Sequence, residues 1–181
     1  MDKAAIMEND VRSKARMFGA SGMQTLEAVH SYVQASNEWG LQCVRNGDLK
    51  AAMEILLQCE ELLFQGVAGN YPRYKFQTLN NVAHTHNVAG NMRLSLKYLL
   101  RCVELGDQAK QDQFNINGAP IPIVETFINL SNAYLFLENL DKAFEAINRA
   151  IEESQSVLER LLQLIDSNKG GQKEALHSQY Q

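Results

Sequence analysis

The sequence predicts an all-α fold of antiparallel helix hairpins, with further helices flanking them at both ends. The 181 residues hold only three prolines and eleven glycines, so long stretches are free of helix breakers. Apolar residues make up 45% of the chain, which excludes wholesale disorder, and they recur at helical spacing. Three segments also share one layout: an apolar helical stretch, a tight turn, and a second apolar helical stretch.

Residues 1–20 read either as a short helix, with Met7, Val11 and Phe18 on one face, or as a disordered segment. A long helix is expected next, through Asn46. Ser21 and Gln24 read as the capping box that opens it, and Leu26, Val29, Val33, Gly40, Leu41 and Val44 mark its buried side.

The repeated segments run from Val33 to Phe64, Phe76 to Asp107 and Val124 to Gln155. Their turns centre on Asn46-Gly47-Asp48, Ala89-Gly90-Asn91 and Leu137-Glu138-Asn139. Gly47 and Gly90 can take positive φ at a helix C-terminus, and Asp48 or Asn91 can cap the helix that follows. The third turn lacks the glycine, and Asn139 is the residue there that tolerates a left-handed conformation. The stretches from Gln65 to Lys75 and from Gln108 to Ile123 carry Gly and Pro and read as loops.

The last helix is expected to be continuous from about Leu140 to Ile165. Its end is rich in Val157, Leu158, Leu161, Leu162 and Ile165 and is apolar on more than one side. Either it folds back as a cap over the third segment, or it is a surface for self-association or for a protein neighbour. Lys169-Gly170-Gly171 are expected to end it, leaving 168–181 as a flexible tail behind a helical domain spanning 21–167.

Small residues recur at matched places. Counting from each segment's start, the eighth places hold Gly40, Ala83 and Ser131, and the twentieth hold Ala52, Ser95 and Ala143. The twenty-seventh hold Cys59, Cys102 and Ala150. Helices cross closely only where side chains are short. Periodicity alone would fit an unrelated helical bundle equally well. The matched small places and turns resemble the tetratricopeptide-repeat (TPR) family over roughly residues 33–155. That resemblance implies three repeats wound into a right-handed superhelix. The starts at Val33, Phe76 and Val124 lie 43 and 48 residues apart, more than the family's period of about 34. This looser spacing, with Thr78-Leu79-Asn80-Asn81-Val82-Ala83, is similar to the longer repeats of kinesin light chains.

Chemistry finds little to work with. The net charge of −4 and the lack of a basic stripe argue against nucleic acid as a partner. Cys43, Cys59 and Cys102 are odd in number and show no CxxC spacing, so neither a disulfide framework nor a zinc site is expected. His84 and His86, two apart on a helix, point to different sides and do not share a metal. The cysteines and His86 fall on packing places of the repeat. No catalytic residue, metal, cofactor or membrane span is expected, and a cytoplasmic protein-binding role follows.

The family resemblance implies where binding would occur. First helices of such repeats line a concave groove. The places that face it hold Asn37 and Leu41, then Asn80, Asn81, His84 and Asn87, then Asn129 and Asn132. Asparagine is a mediocre helix former, so its use there asks for a reason. Its amide offers donors and an acceptor to the backbone of an extended peptide; solvated polar groups are the plain alternative. Chaperone-tail binding is not expected, because the carboxylate-gripping cations of that type are replaced by Asn37, Glu125 and Asn129. The expected role is an adaptor or scaffold holding a peptide or helix in the groove. The alternative is a structural subunit of a ciliary or cytoskeletal assembly, held through its convex face and apolar last helix.

Overall fold

The computed structural model describes residues 3–65, 71–111 and 123–179. These form seven helices: α1 (Lys3–Phe18), α2 (Met23–Arg45), α3 (Leu49–Phe64), α4 (Pro72–Val88), α5 (Met92–Gln111), α6 (Ile123–Phe136) and α7 (Leu140–Gln179). Each packs against its predecessor, and α4 also touches α2, so the hairpins α2–α3, α4–α5 and α6–α7 stack in chain order. The result is the expected all-α superhelix of hairpins, with α1 flanking it at the front and the long α7 at the back.

The small places work as the sequence implies. All nine residues at the three places are buried. The tightest is Gly40, where a Cβ would stand 2.7 Å from Cγ of Leu56 on α3. No side chain fits there without displacing Leu56, so glycine sets the α2–α3 crossing distance.

The three turns share one hydrogen-bond pattern. The amides of Gly47 and Asp48 donate to Val44 and Cys43, those of Gly90 and Asn91 to Asn87 and His86, and those of Glu138 and Asn139 to Leu135 and Tyr134. This is a Schellman motif, in which the first residue of each pair takes the left-handed conformation. Gly47 has φ 81° and Gly90 φ 76°; in the third turn Glu138 takes φ 58°. The left-handed residue is therefore Glu138, not Asn139. Position in the motif decides it, and Asn139 serves instead as an N-cap, its Oδ1 accepting from the Lys142 amide at 3.2 Å. Asp48 caps α3 in the same way, accepting from Ala51 at 3.1 Å. Asn91 receives the amides of Leu94 and Ser95 on its backbone carbonyl.

Four local expectations are corrected. Gly22, not Ser21, is the N-cap of α2, and no side chain caps that end. A Cβ at residue 22 would lie 2.6 Å from the Phe18 carbonyl oxygen, so the tight α1–α2 corner demands glycine there. Leu26 on α2 is exposed, whereas Val29, Val33, Gly40 and Val44 are buried as expected. The loops are shorter than read: Pro72 stands in the first turn of α4, where its fixed φ and missing N–H suit a helix start, and α5 runs to Gln111. The rest of both loop regions, 66–70 and 112–122, lies outside the described residues. Finally, α7 passes through Lys169-Gly170-Gly171. Glycine in a helix costs about 1 kcal/mol, and it ends a helix only where it takes up a left-handed cap.

Two apolar cores result. One joins α1, α2 and α3 through Val11, Val29, Tyr32, Leu62 and Leu63, with Tyr71 and Tyr74 packed against it. The other joins α4 to α7 through Phe76, Leu79, Leu99, Phe127 and Leu130. Each such fully buried side chain contributes about 1.5–3 kcal/mol. Between the cores lies a polar seam. Asn37 on α2 is 2% exposed. Its Nδ2 donates to the Val33 carbonyl at 2.9 Å and to Thr78 Oγ1 at 3.1 Å, while its Oδ1 accepts from Asn81 Nδ2 at 2.6 Å.

Candidate protein-binding surfaces

The inner face of a superhelical hairpin array is lined by the first helix of each hairpin, here α2, α4 and α6. The residues expected to form an amide groove divide into two groups. Asn37 does not face it: it is spent on the α2–α4 junction, and Asn81, half-buried, is held by the same junction. The reason is helix pitch: with α2 and α4 in contact, a residue turned toward α4 is covered by it. The second group stays accessible. His84 and Asn132 are exposed, and Leu41, Asn80, Asn87 and Asn129 are half-buried. The Oδ1 of Asn80 is buried with no partner among the described residues, an acceptor left unsatisfied at the edge of this row.

The last helix extends past the third hairpin instead of folding back over it as a cap. Its first part packs on α6 through Ala143, Ala146 and Ala150. Its length is about 60 Å at 1.5 Å per residue. Leu158, Leu161, Leu162 and Ile165 are all exposed, and Val157 is half-buried. The sequence reading missed that this apolar surface begins much earlier. Leu140, Phe144, Ile147 and Ile151 are exposed as well. Their alternating spacing of three and four residues is the signal that was available.

A cleft of about 540 Å³ opens between α6 and α7, lined by Ser131, Leu135, Leu140, Asp141, Ala143, Phe144 and Ile147. Its walls are mostly apolar and hold no convergent pair of titratable groups, unlike a catalytic cleft.

Cys59, Cys102 and His86 are packing residues. Burial pushes the Cys59 thiol up to about 11 and the Cys102 thiol up to about 12, so neither is a ready thiolate. His86 stacks on Tyr98 with ring centres 5.5 Å apart, and burial lowers its pKa, whereas His84 points outward. No group of three or more His, Cys, Asp or Glu that could hold a metal occurs among the described residues. Nor is any described helix long and apolar enough to cross a membrane.

Comparison with known proteins agrees with this architecture. Residues 124–164, which are α6 and the first part of α7, match the tetratricopeptide repeat model. The TPR domain of Arabidopsis FLU is similar in structure, with a TM-score of 0.57 and 15% identity, covering 71% of this chain and 98% of that one. BtubC (BKLC) from P. vanneervenii has a TM-score of 0.61 at 14% identity; 85% of this chain and 56% of that chain are covered, so this chain spans little more than half of it. No curated protein matches the chain. At these identities the likeness is one of fold. The fold is thus that of tetratricopeptide-repeat domains, and the sequence of residues 124–164 matches the repeat itself.

Proposed function

We propose that this protein is an adaptor or scaffold that holds a peptide or helix of another protein along the inner face of α2, α4 and α6. The observation that carries this reading is the accessible amide row, in which Asn87, Asn129 and Asn132 with His84 offer donors and acceptors on two successive first helices. Such a row suits the backbone of an extended ligand more than any one side chain. The similarity to kinesin light chain repeats, which use asparagines in this manner, supports the same class of ligand.

The double substitution Asn87→Ala with Asn132→Ala tests it. Both residues stand clear of the buried Asn37 junction, so the circular dichroism spectrum and unfolding midpoint should be unchanged. Proteins that co-purify with the wild-type chain under native conditions, read by mass spectrometry, should be lost with the variant. An unaltered set of co-purifying proteins removes the groove.

A second reading is favoured by the exposed apolar length of α7. Here the protein is a structural subunit of a large assembly, ciliary or cytoskeletal, seated through its convex face and last helix. A purified chain that stays monomeric and soluble at high concentration counts against this reading and leaves the first untouched.

A further inference from the structure

The first two hairpins show what normally lies on a hairpin's following side. Helix α4 packs on α3 and α2, and α6 packs on α5. Equivalent places make the comparison direct. Leu56, Leu99 and Ile147 share one place in the three hairpins and are 0%, 2% and 37% exposed. Met92 and Leu140 share another and are 9% and 68% exposed. The third hairpin has side chains of the buried type and, among the described residues, no helix lying over them. What fills the corresponding space twice already in this molecule is a single amphipathic helix.

The uncovered surface has the shape for one. The cleft between α6 and α7 continues along α7 as a seam of Phe144, Ile147, Ile151, Leu158, Leu161 and Ile165. These residues keep heptad spacing, with Ser154 the one polar place in the row. The seam is about 30 Å long at 1.5 Å per residue.

Charge selects the occupant. One flank of the seam carries Asp141, Glu145, Glu152, Glu159 and Asp166, all exposed and without an ion pair among the described residues. No lysine or arginine shares that flank. Opposite charges already join successive hairpins in this molecule: Arg101 on α5 meets Glu60 on α3 at 2.6 Å, and Arg149 on α7 meets Asp107 on α5 at 3.4 Å. A second copy of α7 fits less well, since antiparallel self-pairing sets the two acidic flanks against each other.

We propose that the α6–α7 cleft and the seam beyond it dock an amphipathic helix of a partner protein whose apolar stripe is flanked by lysine or arginine. This site is separate from the inner amide row.

Two fluorescein-labelled synthetic peptides of about three heptads, with identical leucine–isoleucine seams and either lysine or glutamate flanks, provide the probe. Anisotropy titrations of the full chain should show the lysine-flanked peptide binding about tenfold tighter or more, with a preference that shrinks as salt rises. Phe144→Asp with Ile151→Asp should abolish that binding even though it adds negative charge, which separates seam docking from general attraction to an acidic protein. Glu145→Lys, Glu152→Lys and Glu159→Lys together should reverse the preference between the peptides. Asn87→Ala with Asn132→Ala should leave it unchanged. Equal binding of both peptides, or binding of neither, overturns the proposal. So does a dimer in sedimentation equilibrium that Phe144→Asp dissociates, because the occupant would then be a second copy.

Discussion

At the N-terminal end, α1 lies over the first hairpin with Val11 wholly buried and Ala4 beside it. Arg12 is tied to Glu8 at 2.7 Å and to Gln65 at the end of α3 at 3.2 Å, and Lys3 sits 5.2 Å from the centre of the Trp39 ring. At the C-terminal end, α7 leaves Phe144 69% exposed. Both ends are helices that carry apolar residues at helical spacing. The difference lies in what each helix is asked to cover. α1 is an added helix that closes a hairpin, whereas α7 is half of a hairpin and, among the described residues, has no helix packed outside it. An apolar stripe is therefore a stability element at one end and an unfilled surface at the other.

The same substitution at both ends should break this symmetry most sharply. Val11→Asp buries a charge with no partner and should cost about 4 kcal/mol, read as a lower urea midpoint. Phe144→Asp places its charge in water and should cost less than about 0.5 kcal/mol. Equal losses would mean that α7 is covered in solution and that the contrast between the ends does not hold.

The inner face repeats the contrast between its two halves. Asn37 is enclosed and makes three hydrogen bonds, two of them across the α2–α4 junction, while Asn132 on α6 is open to solvent. Removing the Asn37 amide strands the Asn81 donor and opens a small void. Asn37→Ala should therefore destabilise the chain by about 2 kcal/mol. Asn132→Ala should change stability by less than about 0.5 kcal/mol. A pairwise cycle with Asn81→Ala sharpens the test: a coupling near zero would deny that the two amides act as one unit.

These contrasts also mark where the sequence was legible. The hairpins, their turns and the small places could be read because each depends on spacing along one helix or across one tight turn. Gly40, Ala83 and Ser131 had to be small wherever the next helix lay. The amides were harder. Asn37 and Asn132 have identical side chains on similar helices, and only the approach of α4 decides that the first is enclosed. The α1–α2 corner misled for a related reason. Ser21 has the chemistry of a cap, but the carbonyl of Phe18 leaves room only for Gly22 at the capping position. The exposed seam was half-read. Its leucine-rich end is conspicuous in composition, while Phe144, Ile147 and Ile151 emerge only when the heptad is followed through the part of α7 that also packs on α6.

The smallest expected effect concerns the third turn. All three turns have the same pair of backbone hydrogen bonds, but glycine holds the left-handed place in the first two and Glu138 holds it in the third. A side chain in that conformation costs about 1 kcal/mol relative to glycine. Glu138→Gly should therefore stabilise the chain by about 0.5–1 kcal/mol, the net of relieved strain and the extra freedom that glycine gives the unfolded chain. Amides of α6 and of the first part of α7 should show the gain as slower hydrogen exchange, with those of α1 unaffected. Glu138→Asn separates strain from charge: it removes the carboxylate, tolerates the left-handed region better than glutamate, and should fall between the two. If glycine gives no gain, the third hairpin is not strained at its turn. Its open edge alone would then distinguish it from the first two.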